Sequence, residues 1–131
     1  MDKTRSTASV SAALVTILLG GCSTIPPTQM SVAQLCATYG MLSRGNPRAD
    51  ALPLIETELD RRNLRLTTDE RDLVIRERIR VGVSQCVMYA AWGFPVRENR
   101  TVTGGGESIQ HVYSGRNYAY TRNGVVTALQ N

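Results

Sequence analysis

The spacing of apolar residues changes once along this chain, at Pro95. Before Pro95 the apolar residues recur at helical spacing, and after it apolar and polar residues alternate as in half-buried strands. The alternating segments read VRENRTVT, SIQHVYS, YAYTR and VVTALQ, and the last two are joined by the strong hairpin signal Asn123–Gly124. The sequence therefore predicts an α+β fold, in which N-terminal helices and one short helix pack on a three- or four-stranded antiparallel sheet.

Three helices are predicted within the helical part, residues 31–80. The first and the third begin at capping boxes, in which Ser31 pairs with Gln34 and Thr67 pairs with Glu70. The third helix is predicted to run through LTTDERDLVIRERIRVG, because acidic residues lie early and arginines late, as the helix dipole favours.

Prolines and glycines define the other two helices. The second helix has two candidate starts: Asn46 and Pro47 resemble an N-cap and first-turn pair, whereas a start at Asp50 places Pro53 in the first turn, where proline is tolerated. The fourth helix is short: Ser84 is its expected N-cap, Gly93 is placed to end it in the left-handed conformation, and Pro95 prevents its continuation.

A short apolar run precedes these elements. Val10 to Leu19 would span about 15 Å as a helix, half of a hydrocarbon core of about 30 Å, so it suits a signal peptide rather than a membrane span. The run ends in LGGC, which resembles the lipobox of bacterial lipoproteins. The resemblance implies removal of residues 1–21, lipid attachment at Cys22 and, since Ser23 rather than Asp follows, sorting to the outer membrane. An ordinary signal peptide with an incidental cysteine is the alternative.

The remaining length accommodates one domain with a modest core. Residues 22–30 contain two adjacent prolines and are predicted to form an extended tether. A single domain is expected over residues 31–131, with a helical part at 31–80 and a helix plus antiparallel meander at 81–131.

The formal net charge is +4. The arginines of the third helix are interleaved with acidic residues, and an exported chain does not meet nucleic acid, so no nucleic-acid partner is expected. The mixed charge on the second helix, at Glu58, Arg61 and Arg62 among others, is expected to be a solvated surface.

Two cysteines remain besides Cys22. A signal peptide would place Cys36 and Cys86 in an oxidising compartment, and both lie on apolar faces of predicted helices. A disulfide between them is predicted, and the chain-entropy estimate for its loop of about 50 residues is about 4 kcal/mol. Two buried free thiols are the alternative.

No constellation of catalytic residues is visible. His111 is the single histidine, lies on a predicted strand face with Ile109 and Tyr113, and has no carboxylate or cysteine at metal-ligand spacing. The TGGGE segment lacks the Lys-Ser/Thr of a phosphate-binding loop. A packed or surface histidine is therefore expected, and neither enzymatic activity nor a metal or cofactor is predicted.

Three tyrosines form a possible recognition feature. Tyr113, Tyr118 and Tyr120 are either an aromatic face for a partner or cross-strand packing within the sheet, and the sequence favours neither.

The stretch from Ile79 to Gln130 has a recognisable order of motifs. Gly82 and Ser84 form a turn, and a short helix ends in Gly-x-Pro at Gly93. A strand then ends in Val-Tyr, at Val112 and Tyr113, and the last hairpin turns at Asn-Gly. This pattern of about 50 residues resembles the SmpA/OmlA-type small lipoprotein domain, the fold of the accessory lipoprotein of the outer-membrane β-barrel assembly machine. The helical segment from Ser31 to Arg78 is not part of that pattern.

Together these observations lead to two functional hypotheses. The first is a non-enzymatic protein, lipid-anchored through Cys22 at the periplasmic face of the outer membrane, with an envelope protein partner and a structural or interaction role such as envelope assembly. The alternative is a periplasmic binding or inhibitor module that uses its sheet face to hold a protein or a small ligand.

Overall fold

The computed structural model describes residues 25–45 and 47–131, so Cys22 and the predicted signal peptide lie outside the described residues. These described residues fold as four α-helices followed by a four-stranded antiparallel sheet, which confirms the predicted α+β class. The elements are α1 Val32–Ser43, α2 Leu52–Arg61, α3 Thr68–Ile75, α4 Gln85–Trp92, β1 Arg97–Thr103, β2 Gly106–Val112, β3 Tyr118–Arg122 and β4 Val125–Gln130. Within the described ranges, no helix has the length and apolar character needed to cross a membrane.

The predicted starts of α1, α3 and α4 are confirmed. Both capping boxes are formed, with the Ser31 hydroxyl accepting from the Gln34 amide at 3.1 Å and the Thr67 hydroxyl accepting from the Glu70 amide at 3.2 Å. Ser84 caps α4 by accepting from the Val87 amide. These side chains satisfy amides that have no partner within the helix.

Three local details differ from the sequence prediction. The second helix begins at Leu52, after a short 3-10 turn, with Pro53 in its first turn. The third helix ends at Ile75, because Glu77 has a φ of 54° and turns the chain away. Gly93 has a φ of 76° and a ψ of −154°, which is a region open to glycine but not the left-handed helical well.

The helical layer is built around the contact between α1 and α4. Gly40 of α1 faces Ala90 of α4, and a Cβ at Gly40 would collide with the Ala90 backbone carbonyl. The glycine therefore allows the two helices to approach closely. Cys36 and Cys86 lie across the same contact, with Cα atoms 5.2 Å apart, and form the predicted disulfide.

The sheet is a simple meander with strand order β1-β2-β3-β4. Asn123 and Gly124 both have positive φ, 47° and 79°, as a tight hairpin turn between β3 and β4 requires. The segment before α4 joins the sheet edge, because the Gly82 amide donates to the Val126 carbonyl and the Val126 amide donates to the Val83 carbonyl, each at 2.8 Å.

Candidate functional site: the two faces of the sheet

The two faces of the sheet have different environments. One face, which we call the inner face, packs against α4 and carries the buried side chains Ile109, His111, Ala119, Thr121 and Val126. The opposite face, which we call the outer face, contains no buried residue among those described. Strand register fixes this division, since His111 pairs with Ala119 while Gln110 pairs with Tyr120.

A row of polar side chains connects α4 to the inner face. It consists of Gln85, Tyr89, Glu98, His111 and Thr121, and we call it the inner row. The Gln85 amide donates to the Tyr89 hydroxyl at 2.9 Å, and that hydroxyl donates to Oε2 of Glu98 at 2.9 Å. Oε2 of Glu98 also lies 2.9 Å from Nδ1 of His111, and Nε2 of His111 lies 2.8 Å from Oγ1 of Thr121. The row thus links the helical layer to three strands.

His111 is held neutral at the centre of the inner row. Its side chain is fully buried, and this burial lowers the pKa of His111, while the Glu98 carboxylate opposes the shift. The angle at Nδ1 falls outside the range of a directed hydrogen bond, although the carboxylate is close. Because a carboxylate only accepts, the ring proton belongs on Nδ1, and the Thr121 hydroxyl then donates to Nε2.

The side chains of Thr121, His111 and Glu98 are connected in the order of a nucleophile, a base and an orienting acid. However, Thr121 is 2 % exposed and His111 is 0 % exposed, so a substrate cannot reach the hydroxyl. Tyr89 closes the site from the helical side, with its ring edge-on to His111 at 5.8 Å between centroids. The arrangement in this structure gives the Tyr89 and Thr121 hydroxyls hydrogen-bond partners and packs the sheet onto α4.

Tyr113 does not lie with the other two tyrosines. It lies on the inner side, where its hydroxyl donates to the Gly93 carbonyl at 3.0 Å and its ring packs edge-on against Trp92. Burial raises the pKa of Tyr113. Tyr118 and Tyr120 are half-buried on the outer face. The three tyrosines suggested by the sequence therefore do not share one face, and only Tyr118 and Tyr120 can belong to a common surface.

A second row of polar side chains crosses the outer face. Asn99, Gln110, Tyr120 and Gln130 lie on four successive strands, and we call them the outer row. The Asn99 amide donates to the Gln110 side-chain oxygen at 2.8 Å, and the Gln110 amide donates to the Tyr120 hydroxyl at 3.2 Å. The Tyr120 hydroxyl donates to the Gln130 side-chain oxygen at 3.3 Å. Sequence reasoning missed this row, because its members are 10 or more residues apart and meet only through strand pairing.

Three members of the outer row, Asn99, Gln110 and Tyr120, border a shallow depression of about 490 Å³. The depression is bordered by polar side chains of all four strands, among them Asn99, Thr101, Gln110, Tyr120 and Thr127. Thr127 is the extra residue of a β-bulge opposite Tyr120, and its hydroxyl donates to the Tyr120 carbonyl. Hydroxyl and amide groups at this surface remain accessible to hydrogen-bond with a ligand or a partner.

The described residues contain no cluster of side chains suited to bind a metal ion. Within residues 25–45 and 47–131, no group of three or more His, Cys, Asp or Glu side chains is arranged to hold a metal ion. The Glu98 carboxylate, adjacent to the single histidine, is occupied by Tyr89.

The expected tether is attached to the domain over part of its length. Arg62 donates to the carbonyls of Pro27, Thr28 and Met30 at 3.1, 3.2 and 2.8 Å. Its Nε also bonds to Glu58 at 2.6 Å. The chain is not extended throughout this segment, because Pro27–Gln29 form a 3-10 turn, and the long-range arginine contact holds the turn and Met30 on the domain.

Glu58 is the buried end of this attachment. It is 4 % exposed, which corrects the prediction that the charges of α2 form a purely solvated surface. Hydrogen bonds from Arg61 and Arg62 lower the pKa of the Glu58 carboxyl to about 2. The positions of Arg61 and Arg62, three and four residues after Glu58, indicate ion pairs from the sequence alone, but they do not indicate that Glu58 is buried.

No family model, curated protein or solved structure matches the chain. The SmpA/OmlA resemblance of residues 79–130 therefore stays a prediction. The lipid-attachment site expected at Cys22 also stays a prediction, since it lies outside the described residues.

Proposed function

We propose that this chain is a non-enzymatic lipoprotein of the outer membrane that presents the outer face of its sheet to an envelope protein in the periplasm. The observation that carries the proposal is the uncovered outer row. Asn99, Gln110, Tyr120 and Gln130 form a continuous polar line across four strands, and no described element packs over them.

The chemistry of the outer face suits recognition of a protein surface. Tyr118 and Tyr120 provide aromatic area at low conformational cost, and the neighbouring amides provide hydrogen bonds, a combination enriched in binding surfaces. The hydrogen bonds within the outer row already hold its side chains in place, so binding a partner costs little additional side-chain conformational entropy. A partner that supplies both donors and acceptors would replace the water on this face.

The anchoring part of the proposal rests on the LGGC motif. The lipid anchor is tested with the full chain in a bacterial host, by comparing the Cys22→Ser variant with the wild type. We expect the wild type to incorporate labelled fatty acid and to sediment with the outer membrane, and the variant to lose the label. Ser23→Asp is the matched control, since it should keep the label and move the protein to the inner membrane. Fatty-acid labelling of the Cys22→Ser variant would contradict the anchor.

The partner is tested by crosslinking in intact cells, followed by purification of the full chain from separated membranes. A protein adduct recovered from the outer membrane supports an envelope partner. An adduct found only with a soluble periplasmic protein would contradict that role and favour the inhibitor or binding-module alternative.

The depression of about 490 Å³ favours one second candidate, a module that holds a small polar ligand on the same face. Pockets for small molecules have volumes of about 300–1,000 Å³, but most are apolar and enclose their ligand. This depression is open and does not enclose a ligand, so protein recognition ranks first. Native mass spectrometry of chain purified from the envelope separates the two, because a retained small molecule adds a discrete mass below that of any protein.

A further inference from the structure

The helical layer contains an apolar groove that the sheet does not use. It lies between α1, α2 and the segment before α1, and its volume is about 400 Å³. Its lining includes Pro26, Met30, Leu42, Ala51 and Ile55.

Three large apolar side chains at this groove are exposed. Ile25 is 42 % exposed, Met41 is 50 % exposed and Leu54 is 64 % exposed, and all three line the groove. They come from three different elements, so their convergence is a property of the tertiary fold. Other exposed apolar side chains, such as Ile75 and Phe94, lie outside the groove.

The path of the chain places this groove close to the proposed anchor. Arg62 fixes the carbonyls of Pro27, Thr28 and Met30 on the domain, and Ile25 already lines the groove. Cys22 is three residues before Ile25, and three extended residues span at most about 10 Å. A lipid-bearing Cys22 therefore holds this side of the domain against the bilayer surface rather than on a long tether.

We propose that Ile25, Met41 and Leu54 dock on the surface of the bilayer that anchors the chain. This inference rests on the proposed lipid anchor, and it adds an orientation: the groove between α1 and α2 faces the lipid. Apolar side chains gain free energy by leaving water for the region between headgroups and acyl chains. Confinement by the anchor removes most of the translational cost of that contact, so a few side chains suffice.

The test uses the full lipidated chain, reconstituted in vesicles of phosphatidylethanolamine and phosphatidylglycerol with or without brominated acyl chains. Leu54→Trp places a fluorophore at the groove, and Ile75→Trp places one at a matched position that is 58 % exposed on α3. The wild type supplies the baseline from its single tryptophan, Trp92. We expect the bromine atoms to quench the added emission of Leu54→Trp at least twofold more than that of Ile75→Trp.

Equal quenching of the two variants would overturn the docking while leaving the anchor intact. Flotation with the vesicles and a fatty-acid label on the protein test the anchor separately, and loss of both would contradict the proposed function together with the docking that depends on it. An intact Cys36–Cys86 disulfide by alkylation mass verifies that each variant is folded. If Leu54→Trp does not fold, Met41→Trp carries the same expectation and the same contradicting outcome.

Discussion

The inner and outer rows share two kinds of polar group but differ in how deeply their central members are buried. Each contains a tyrosine hydroxyl and a side-chain amide, and each links several strands by hydrogen bonds of 2.8–3.3 Å. The centre of the inner row is buried beneath α4, whereas no member of the outer row is buried.

This difference in burial assigns the rows different roles. A buried polar group must keep its partner, because losing it leaves the other partner unsatisfied in a medium without water. An exposed polar group exchanges its partner for water at little cost. The inner row therefore contributes to stability, and the outer row is free to exchange its bonds with a binding partner. Adjacent residues on β2 and β3 belong to different rows, so the comparison can be tested with neighbours in sequence.

The largest loss of stability is expected on removal of the disulfide. It lies outside both rows, so its effect is a reference against which the effects of row variants are compared. Replacing Cys36 and Cys86 together with alanine should lower the free energy of unfolding by about 4 kcal/mol, because the unfolded chain loses a crosslinked loop of about 50 residues. Urea denaturation measures this, and reduced wild type should unfold at nearly the same midpoint. Unchanged stability after reduction would contradict a stabilising role for the Cys36–Cys86 disulfide.

The next effect separates the two rows directly. His111→Ala should lower the free energy of unfolding by about 2–4 kcal/mol, because it leaves a cavity and deprives the Thr121 hydroxyl of its partner. Gln110→Ala, one residue earlier on the outer face, should change it by less than about 0.5 kcal/mol. Similar losses for both variants would break the distinction between the rows.

The pH dependence of stability should be carried by the inner row and by Glu58. The unfolded pKa of His111 is about 6.5 and burial lowers the folded pKa, so its contribution is complete above pH 6.5 and declines as the pH falls below that value. The lowered pKa of Glu58, about 2, gives a second contribution that is complete above about pH 4.5 and is lost on further acidification.

Urea midpoints measured from pH 7 to pH 3 resolve the two contributions. His111→Ala should remove the decline that begins near pH 6.5, whereas Glu58→Gln should remove only the decline below about pH 4.5. A wild type whose stability increases between pH 7 and pH 5 would contradict a neutral His111.

The smallest effect on stability is expected for Tyr120→Phe. The lost hydroxyl bonds to Gln110 and Gln130 at an exposed surface, so water replaces it and the free energy of unfolding changes by less than about 0.5 kcal/mol. Thr121→Val, the adjacent inner-face variant, should cost more because His111 then loses its buried partner. Thermal unfolding of the pair checks the order, and a reversed order would contradict the assignment of the faces.

Local signals predicted much of the fold. The capping residues Ser31 and Thr67 and the Asn123–Gly124 turn act over a few neighbouring residues, so their effects are readable from the sequence. The end of α3 at Ile75 could not be predicted from the sequence. Its Val74 carbonyl accepts from Arg44, and the Glu77 carbonyl accepts from Trp92, so distant partners stabilise a turn where the sequence pattern continues as a helix.

The candidate site depended even more on long-range register. Alternation placed Ile109, His111 and Tyr113 on one face correctly, but it did not determine which face Tyr118 and Tyr120 would share after the intervening turn. The pairing of Gln110 with Tyr120 decides this, and no local motif specifies it. The attachment of Pro27–Met30 by Arg62 was hidden for the same reason, since more than thirty residues separate the partners.

The most direct test of the recognition surface is site-specific photocrosslinking in intact cells. A photoreactive amino acid replaces Gln110 on the outer face in one strain and Asp69, an exposed position on α3, in another. Our account predicts a discrete protein adduct from position 110 that is absent from position 69 and is lost when Tyr120→Ala is added. No adduct from position 110, or equal adducts from both positions, would contradict the claim that the outer face binds the partner.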